Sequence, residues 1–241
     1  KLIHFDLVKN VFKKLRGDFV ILYYHGILND DEFEKISGPN KHLFVPKSNF
    51  IKQMDFLEKN KINVISIDDL YKTNFKPAQF SVVISFDDGY KDNIEVAYPV
   101  LKKKNFPFII YLVPKLLREE PWVWWIELWD QLQKKNSILD DNTRIDISTQ
   151  SLKNKFFLKI KKKIKKLRIQ DQKKMLKRIF NLSKTMNMSK YFLSELEIKE
   201  LNKDKLVTIG SHSEDHLSLK KFDRNTIYDQ IKKSKSYLED C

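Results

Sequence analysis

Apolar residues fall along the chain in two alternating rhythms. Continuous runs rich in β-branched and aromatic residues predict buried strands at "FVILYYH" (19–25), "INVISI" (62–67), "FSVVISF" (80–86) and "FPFIIYLV" (106–113). Between them, apolar positions recur every three or four residues in "SNFIKQMDFLEKN" (48–60) and "NIEVAYPVLKKKN" (93–105), and those spacings predict helices. Ser48 is the expected N-cap of the first, and Pro99 is expected to kink the second or close its first half. "DDLYKT" (68–73) reads as a short helix or turn. Strands separated by helices predict parallel βαβ units, an α/β sheet or barrel whose functional residues collect at the carboxyl ends of the strands.

From Pro114 to Lys205 the strand rhythm stops and a mostly helical pattern takes over, opening with "PWVWWIELWDQL"; "LVTIG" (206–210) then restores a strand. Residues 115–205 are expected to form a helical insertion, a lid or subdomain inside a single domain spanning 1–241, because their own apolar content is modest. The spacing of Trp122, Trp124, Trp125 and Trp129 predicts either a helix packing its aromatic face on the barrel or a sugar-contacting lid.

Composition narrows the class. The chain has 241 residues, 41% of them hydrophobic, enough to bury a substantial core, and only 5 glycines, which argues against a fibrous or low-complexity protein. The single Cys241 excludes an internal disulfide framework. No apolar run approaches the roughly 18–20 residues that cross a bilayer, and no signal-peptide core follows Lys1, so envelope and cytoplasm both stay open as locations.

A net charge of +14 suggests a polyanionic partner, but its distribution weakens that idea. Between Ser151 and Arg178 thirteen Lys or Arg stand against one acid, Asp171, so that +12 of the +14 lies in one segment. Phe156, Phe157, Ile160, Ile164, Leu167, Met175, Leu176 and Ile179 recur within it at helical spacing, predicting one or two amphipathic helices with a basic outer face. That face is expected to be solvated, with an anionic membrane surface or an acidic polymer as the alternative partner. Specific nucleic-acid binding is not expected, since no zinc-finger or RNP-type motif accompanies the charge.

Three strand ends carry polar side chains that packing does not require: His25 in "YYHG", Asp87 and Asp88 in "SFDDG", and His212 and His216 in "IGSHSEDH". Two histidines four positions apart can face one centre, and one carboxylate from a neighbouring strand completes a set of three ligands for zinc, iron, cobalt or manganese. A carboxylate held beside the metal without ligating it suits a general base.

"SFDDG" and "SHSEDH" resemble the first two motifs, T/S-F-D-D-G and H-S/T-x-x-H, of the polysaccharide deacetylases of the NodB homology type, carbohydrate esterase family 4. The resemblance covers about residues 19–114 and 205–240. It implies a distorted (β/α) barrel, with Asp88, His212 and His216 holding a divalent metal, most commonly zinc, and Asp87 as the base. Tyr90 after the glycine, with the early "YYHG", is similar to the branch acting on poly-N-acetylglucosamine, and this implies His25 as general acid. The implied substrate is an N-acetylated polysaccharide or a lipid-linked glycan of the cell envelope, with Tyr90, Trp124 and Trp125 as candidate sugar contacts. The family's third motif would follow the helix ending near Leu238, so the barrel is expected to be incomplete at its C-terminus. A non-catalytic glycan-binding relative or an inactive fragment is the alternative.

Overall fold

Strand β5 (Ser81–Asp88) carries the longest buried run, Ser81 to Phe86, and the sheet is organised around it. A strand buries both faces only with layers above and below it, the setting that parallel sheets provide. In this computed structural model, which describes residues 19–72, 80–118, 121–140 and 143–241, β1 (Phe19–Tyr24) runs parallel along one edge of β5. The other edge is shared: β4 (Asn63–Val64) pairs with Ser81 and Val82, and β6 (Phe108–Leu112) with Ile84 to Asp88. β9 (Val207–Ser211) pairs with β6, giving the order β1-β5-β6-β9 with every pair parallel. A separate short parallel pair, β2 (Gly26–Leu28) and β3 (Phe44–Pro46), follows β1.

Parallel pairing brings the carboxyl ends to one side of the sheet. Asp88, Leu112 and Ser211 are register partners, and the His212 N–H donates to the Leu112 carbonyl at 2.8 Å, carrying the ladder one residue past β9. Side chains alternate between faces. Val82, Ile84 and Phe86 enter the main core with Phe50, Met54, Leu101, Phe108 and Ile110, while Val83 enters a smaller cluster with Ile67 and Ile109.

Several sequence expectations are corrected. β1 is not a buried strand: Phe19, Ile21 and Tyr23 are exposed, because a strand with one ladder partner at the edge of the sheet has no covering on that face. Ser48 does not cap a helix. The helix runs Lys47–Lys59 with Pro46 at the cap position, and Ser48 lies in its first turn, its N–H and hydroxyl donating to Asp30 at 3.3 and 2.5 Å. Pro99 follows a π-helical turn, Asn93–Ala97, and sits in the first turn of the α-helix Tyr98–Lys103. A proline lacks an N–H and crowds the carbonyl four residues back, so a wider turn before it relieves both demands.

The segment between β6 and β9 is helical, as expected, with one addition: an antiparallel hairpin of β7 (Ser137–Asp140) and β8 (Thr143–Asp146). Its four-residue strands are too short to show a period. The basic stretch folds as two helices, Gln150–Ile164 and Ile169–Phe180, capped by Thr149 and ended by Asn181 in the left-handed conformation. Their apolar faces meet the helix Trp124–Gln133 in a hydrophobic cluster separate from that of the sheet, containing Trp124, Leu128, Phe157, Ile160, Leu176 and Phe180. Tyr90 and Val113 join this cluster from the sheet side, so the inserted helices share their core with the strand ends.

Candidate functional site

The turn after β5 is sharply bent. Asp88 and Gly89 have φ of 74° and 72°, and a Cβ added at Gly89 would lie 2.7 Å from Leu112 Cδ2, so glycine is required there. The backbone leaving the turn is pinned by the inserted segment: the Leu193 N–H donates to Gly89 O at 3.0 Å, and Tyr90 forms a bridge with Phe192. Asp88 is turned into the interior at 1% exposure, while Asp87 stays half-buried.

The histidine loop is held from two sides. Gln230, on the helix Arg224–Glu239, accepts from the Asp215 N–H and donates to the Asp215 carboxylate, both at 2.9 Å, and the Ser211 and Ser234 hydroxyls share a hydrogen bond at 2.7 Å. From the opposite side, Arg118 pairs with Glu214 and Lys115 with Asp215, each at 2.8 Å. Six non-glycine residues have positive φ among the described residues, and three of them, Asp88, Ser213 and His216, are in these two loops. Backbone in that region persists where the surroundings hold it, and its concentration here marks a functional site.

These bends bring the ligand atoms together. Asp88 Oδ1 lies 3.5 Å from His212 Nε2 and 3.2 Å from His216 Nε2, and the three donor atoms all lie within 4.8 Å of one another. Tetrahedral ligands roughly 2.05 Å from a zinc ion stand about 3.3 Å apart, so the pocket fits such an ion. Asp88 Oδ1 is moreover buried without a hydrogen-bond partner, an unmet demand that a cation satisfies. Burial alone would raise the Asp88 carboxyl; the charges of His216, His212 and His25 outweigh it and hold the group below its ordinary range. Asp87 moves the other way, raised by burial against the pull of His212 and His25. Burial, and then the charge of His216, lower the His212 imidazole. Two adjacent carboxyls thus occupy different electrostatic settings, one neutralised by histidines and one desolvated.

His25 follows the last residue of β1. Its carbonyl accepts from Asn93 Nδ2 at 2.7 Å, and Asp92 accepts from the Ile27 N–H at 2.9 Å, so the two residues that follow Tyr90 and Lys91 grip the His25 loop. His25, Asp88 and His216 line one cavity of about 370 Å³. Trp124 and Trp125 line it too, and the Trp125 ring packs on His216 with centroids 5.0 Å apart. Tyr90 lies beneath this wall at 2% exposure, its hydroxyl accepting from Trp125 Nε1 at 3.2 Å, and it does not line the cavity.

Sequence reasoning passed over Asp92 and Asn93, although "DDGYKDN" displays them, because nothing in the string shows that they reach back to β1. It also passed over Lys161, Lys165 and Gln172, which line the same cavity from the inserted helices. Their helical period was visible; the direction in which they face was not.

The family described as polysaccharide deacetylase matches residues 74–241. No curated protein matches the sequence. Among solved structures, the chain is similar to the Streptococcus pyogenes deacetylase PplD in complex with acetate, at 18% identity and a TM-score of 0.54, over 92% of this chain and 68% of that one. It is also similar to BC0361, a polysaccharide deacetylase from Bacillus cereus, at 19% identity and a TM-score of 0.53, over 92% of this chain and 46% of that one. At these identities the likeness is one of fold, and this chain spans less than half the length of the Bacillus protein.

Proposed function

The chain belongs to the polysaccharide deacetylase family, hydrolases of carbon–nitrogen bonds, and we propose that it removes N-acetyl groups from an amino sugar of a polysaccharide or glycan precursor. The observation that carries this reading is Asp88 Oδ1, buried, unpartnered and faced by His212 and His216. The cavity beside it lies in the size range of small-ligand sites. The parallel sheet is read as part of a distorted (β/α) barrel with its site at the strand ends.

Asp88, His212 and His216 would hold the divalent ion, and two imidazoles with one carboxylate suit zinc, with cobalt, iron or manganese as substitutes. Bound there, the ion supplies a Lewis acid for the acetyl carbonyl and lowers the pKa of water. Asp87 takes the proton of the attacking water at a carboxylate oxygen. His25, in the wall of the same cavity, gives a proton to the amide nitrogen as the C–N bond breaks, and acetate and a free amine leave. Asp92 and Asn93 keep the His25 loop in place for that transfer. Trp124 and Trp125 receive an apolar face of the sugar, and Tyr90 supports them from below. Acetate, bound in the Streptococcus pyogenes structure, is the product expected here.

An acid supplied from the first strand is what supports the narrower reading, a poly-N-acetylglucosamine type of substrate. A lipid-linked precursor at an anionic membrane surface fits the exposed lysines of 151–178. The zinc-loaded protein is expected to release acetate from N-acetylglucosamine oligomers, and a chelator to stop it. Asp87→Asn is expected to cut the rate about a hundredfold or more while the metal is retained. Glycan binding with no acetate release, and no effect of Asp87→Asn, would instead identify a non-catalytic relative.

A further inference from the structure

The cavity that holds Asp88 and His216 is also lined by two lysines with no role assigned above. Lys161 lies in the last turn of the helix Gln150–Ile164 and Lys165 at its end, four residues on, and both line the cavity together with Trp124, Trp125 and Phe157. Like charges at this spacing repel each other on a helix. No ion pair of the described residues involves Lys161, Lys165 or the nearby Lys220. Burial lowers the Lys165 ammonium, and every neighbouring charge that acts on it, Lys161 and then Lys220, is positive. The carboxylate of the same cavity, Asp88, faces His212 and His216 and forms no ion pair with either lysine.

The helix C-terminus favours cations, but Lys162 and Lys163 in that turn meet its demand while exposed and outside the cavity lining. Lys161, half-buried, and Lys165, exposed, thus line a site in which no described residue forms an ion pair with them. Resting on the deacetylase reading of the site, we propose that the acetylated sugar carries an anionic group, a phosphate ester or a carboxylate, on or next to the reacting residue, and that Lys161 and Lys165 bind it. The aromatic wall packs on the apolar face of the ring while the ammoniums donate to the anion's oxygens, so a single cavity reads both.

The test uses the full, zinc-loaded chain and measures binding by calorimetry alongside acetate release. The probes are N-acetylglucosamine, N-acetylglucosamine 1-phosphate, N-acetylmuramic acid and inorganic phosphate. At least one anionic sugar is expected to bind about tenfold more tightly than the neutral sugar at low salt. Whether the phosphate or the carboxylate sugar gains separates the two sources of the anion, and inorganic phosphate alone is expected to bind weakly. Lys161→Gln with Lys165→Gln is expected to erase the preference, Lys161→Arg with Lys165→Arg to keep most of it, and Lys162→Gln with Lys163→Gln, which removes the same charge outside the cavity, to leave it intact. Equal binding of neutral and anionic sugars, or equal loss in the 162/163 pair, overturns the proposal. Acetate release from neutral oligomers without any anion preference would sink the anion subsite alone. A lysine-dependent anion preference without acetate release from any probe would sink the deacetylase reading and leave the subsite standing.

Discussion

The two walls of the cavity are built by different means. Asp88, His212 and His216 stand on strand ends of a hydrogen-bonded sheet, on backbone bent into the left-handed region and tied by Gln230, Arg118 and Lys115. Trp124, Trp125, Phe157, Lys161 and Lys165 stand on helices of the inserted segment, which packs around a second hydrophobic cluster that Tyr90 and Val113 join. The two meet through the Tyr90–Phe192 bridge, the hydrogen bonds from Trp125 to Tyr90 and from Leu193 to Gly89, the Trp125 ring on His216, and Leu193, Ile198 and Leu201 in the core of the sheet. Ligand atoms must be placed within tenths of an ångström, which a sheet with satisfied backbone can enforce. Recognition of a sugar tolerates more, and a helical layer can supply shape and charge without disturbing the strand ends.

The sharpest way to break this comparison is Asp88→Asn, which keeps the volume and a residue type tolerant of positive φ. Bound zinc, measured by elemental analysis, and acetate release are both expected to fall, the latter about a thousandfold or more. Thermal stability of the metal-free protein is expected to fall as well at neutral pH, because the histidine charges that hold the Asp88 carboxyl below its ordinary range lose their anionic partner. Phe157→Ala probes the other wall. At 1% exposure its truncation should cost about 3–5 kcal/mol of stability, read by calorimetry, while zinc affinity of the folded protein stays within a few-fold. A large loss of metal affinity would show that the walls are one unit.

A smaller effect sharpens the place of His25. Burial lifts the Asp92 carboxyl from 3.8 to about 7. A group that holds its proton more tightly folded than unfolded favours folding most below its unfolded pKa, and that advantage is lost as pH rises through the folded value. Asp92→Asn cannot ionise yet still offers an acceptor to the Ile27 N–H. Its melting temperature should therefore exceed the wild type at pH 8, with the difference shrinking towards pH 4. Smallest of all is Lys174→Ala on the outer face, where the pair with Asp171 is 3.8 Å long and exposed; less than about 0.5 kcal/mol should be lost. The outer lysine and the cavity lysines are chemically alike and differ only in where they face.

Much of this was legible in the string because it is local. Continuous apolar runs marked the strands, three-and-four spacing marked the helices, and the polar residues left at strand ends named Asp87, Asp88, His212, His216 and His25, since a strand end is where a side chain has no packing duty. The misjudged elements were those whose burial depends on distant chain. Phe19, Ile21 and Tyr23 look like core residues, yet they lie on an edge strand. Ser48 looks like a cap until Asp30, eighteen residues earlier, takes its N–H. The four-residue strands of the β7–β8 hairpin show no period of their own between two helices.

The sequence alone therefore determined the kind of chemistry, since residue types and their spacing limit which ligands and bases are available. Tertiary structure alone decided the distances that make a centre of Asp88, His212 and His216; Asp88 lies more than a hundred positions before the two histidines and meets them only because β5, β6 and β9 are in register. It also decided that Tyr90 supports Trp125 rather than lining the cavity, and that Lys161 and Lys165, among the many lysines between 151 and 178, line the cavity. A helical period fixes which residues share a face, but only packing against the rest of the chain settles where that face is directed.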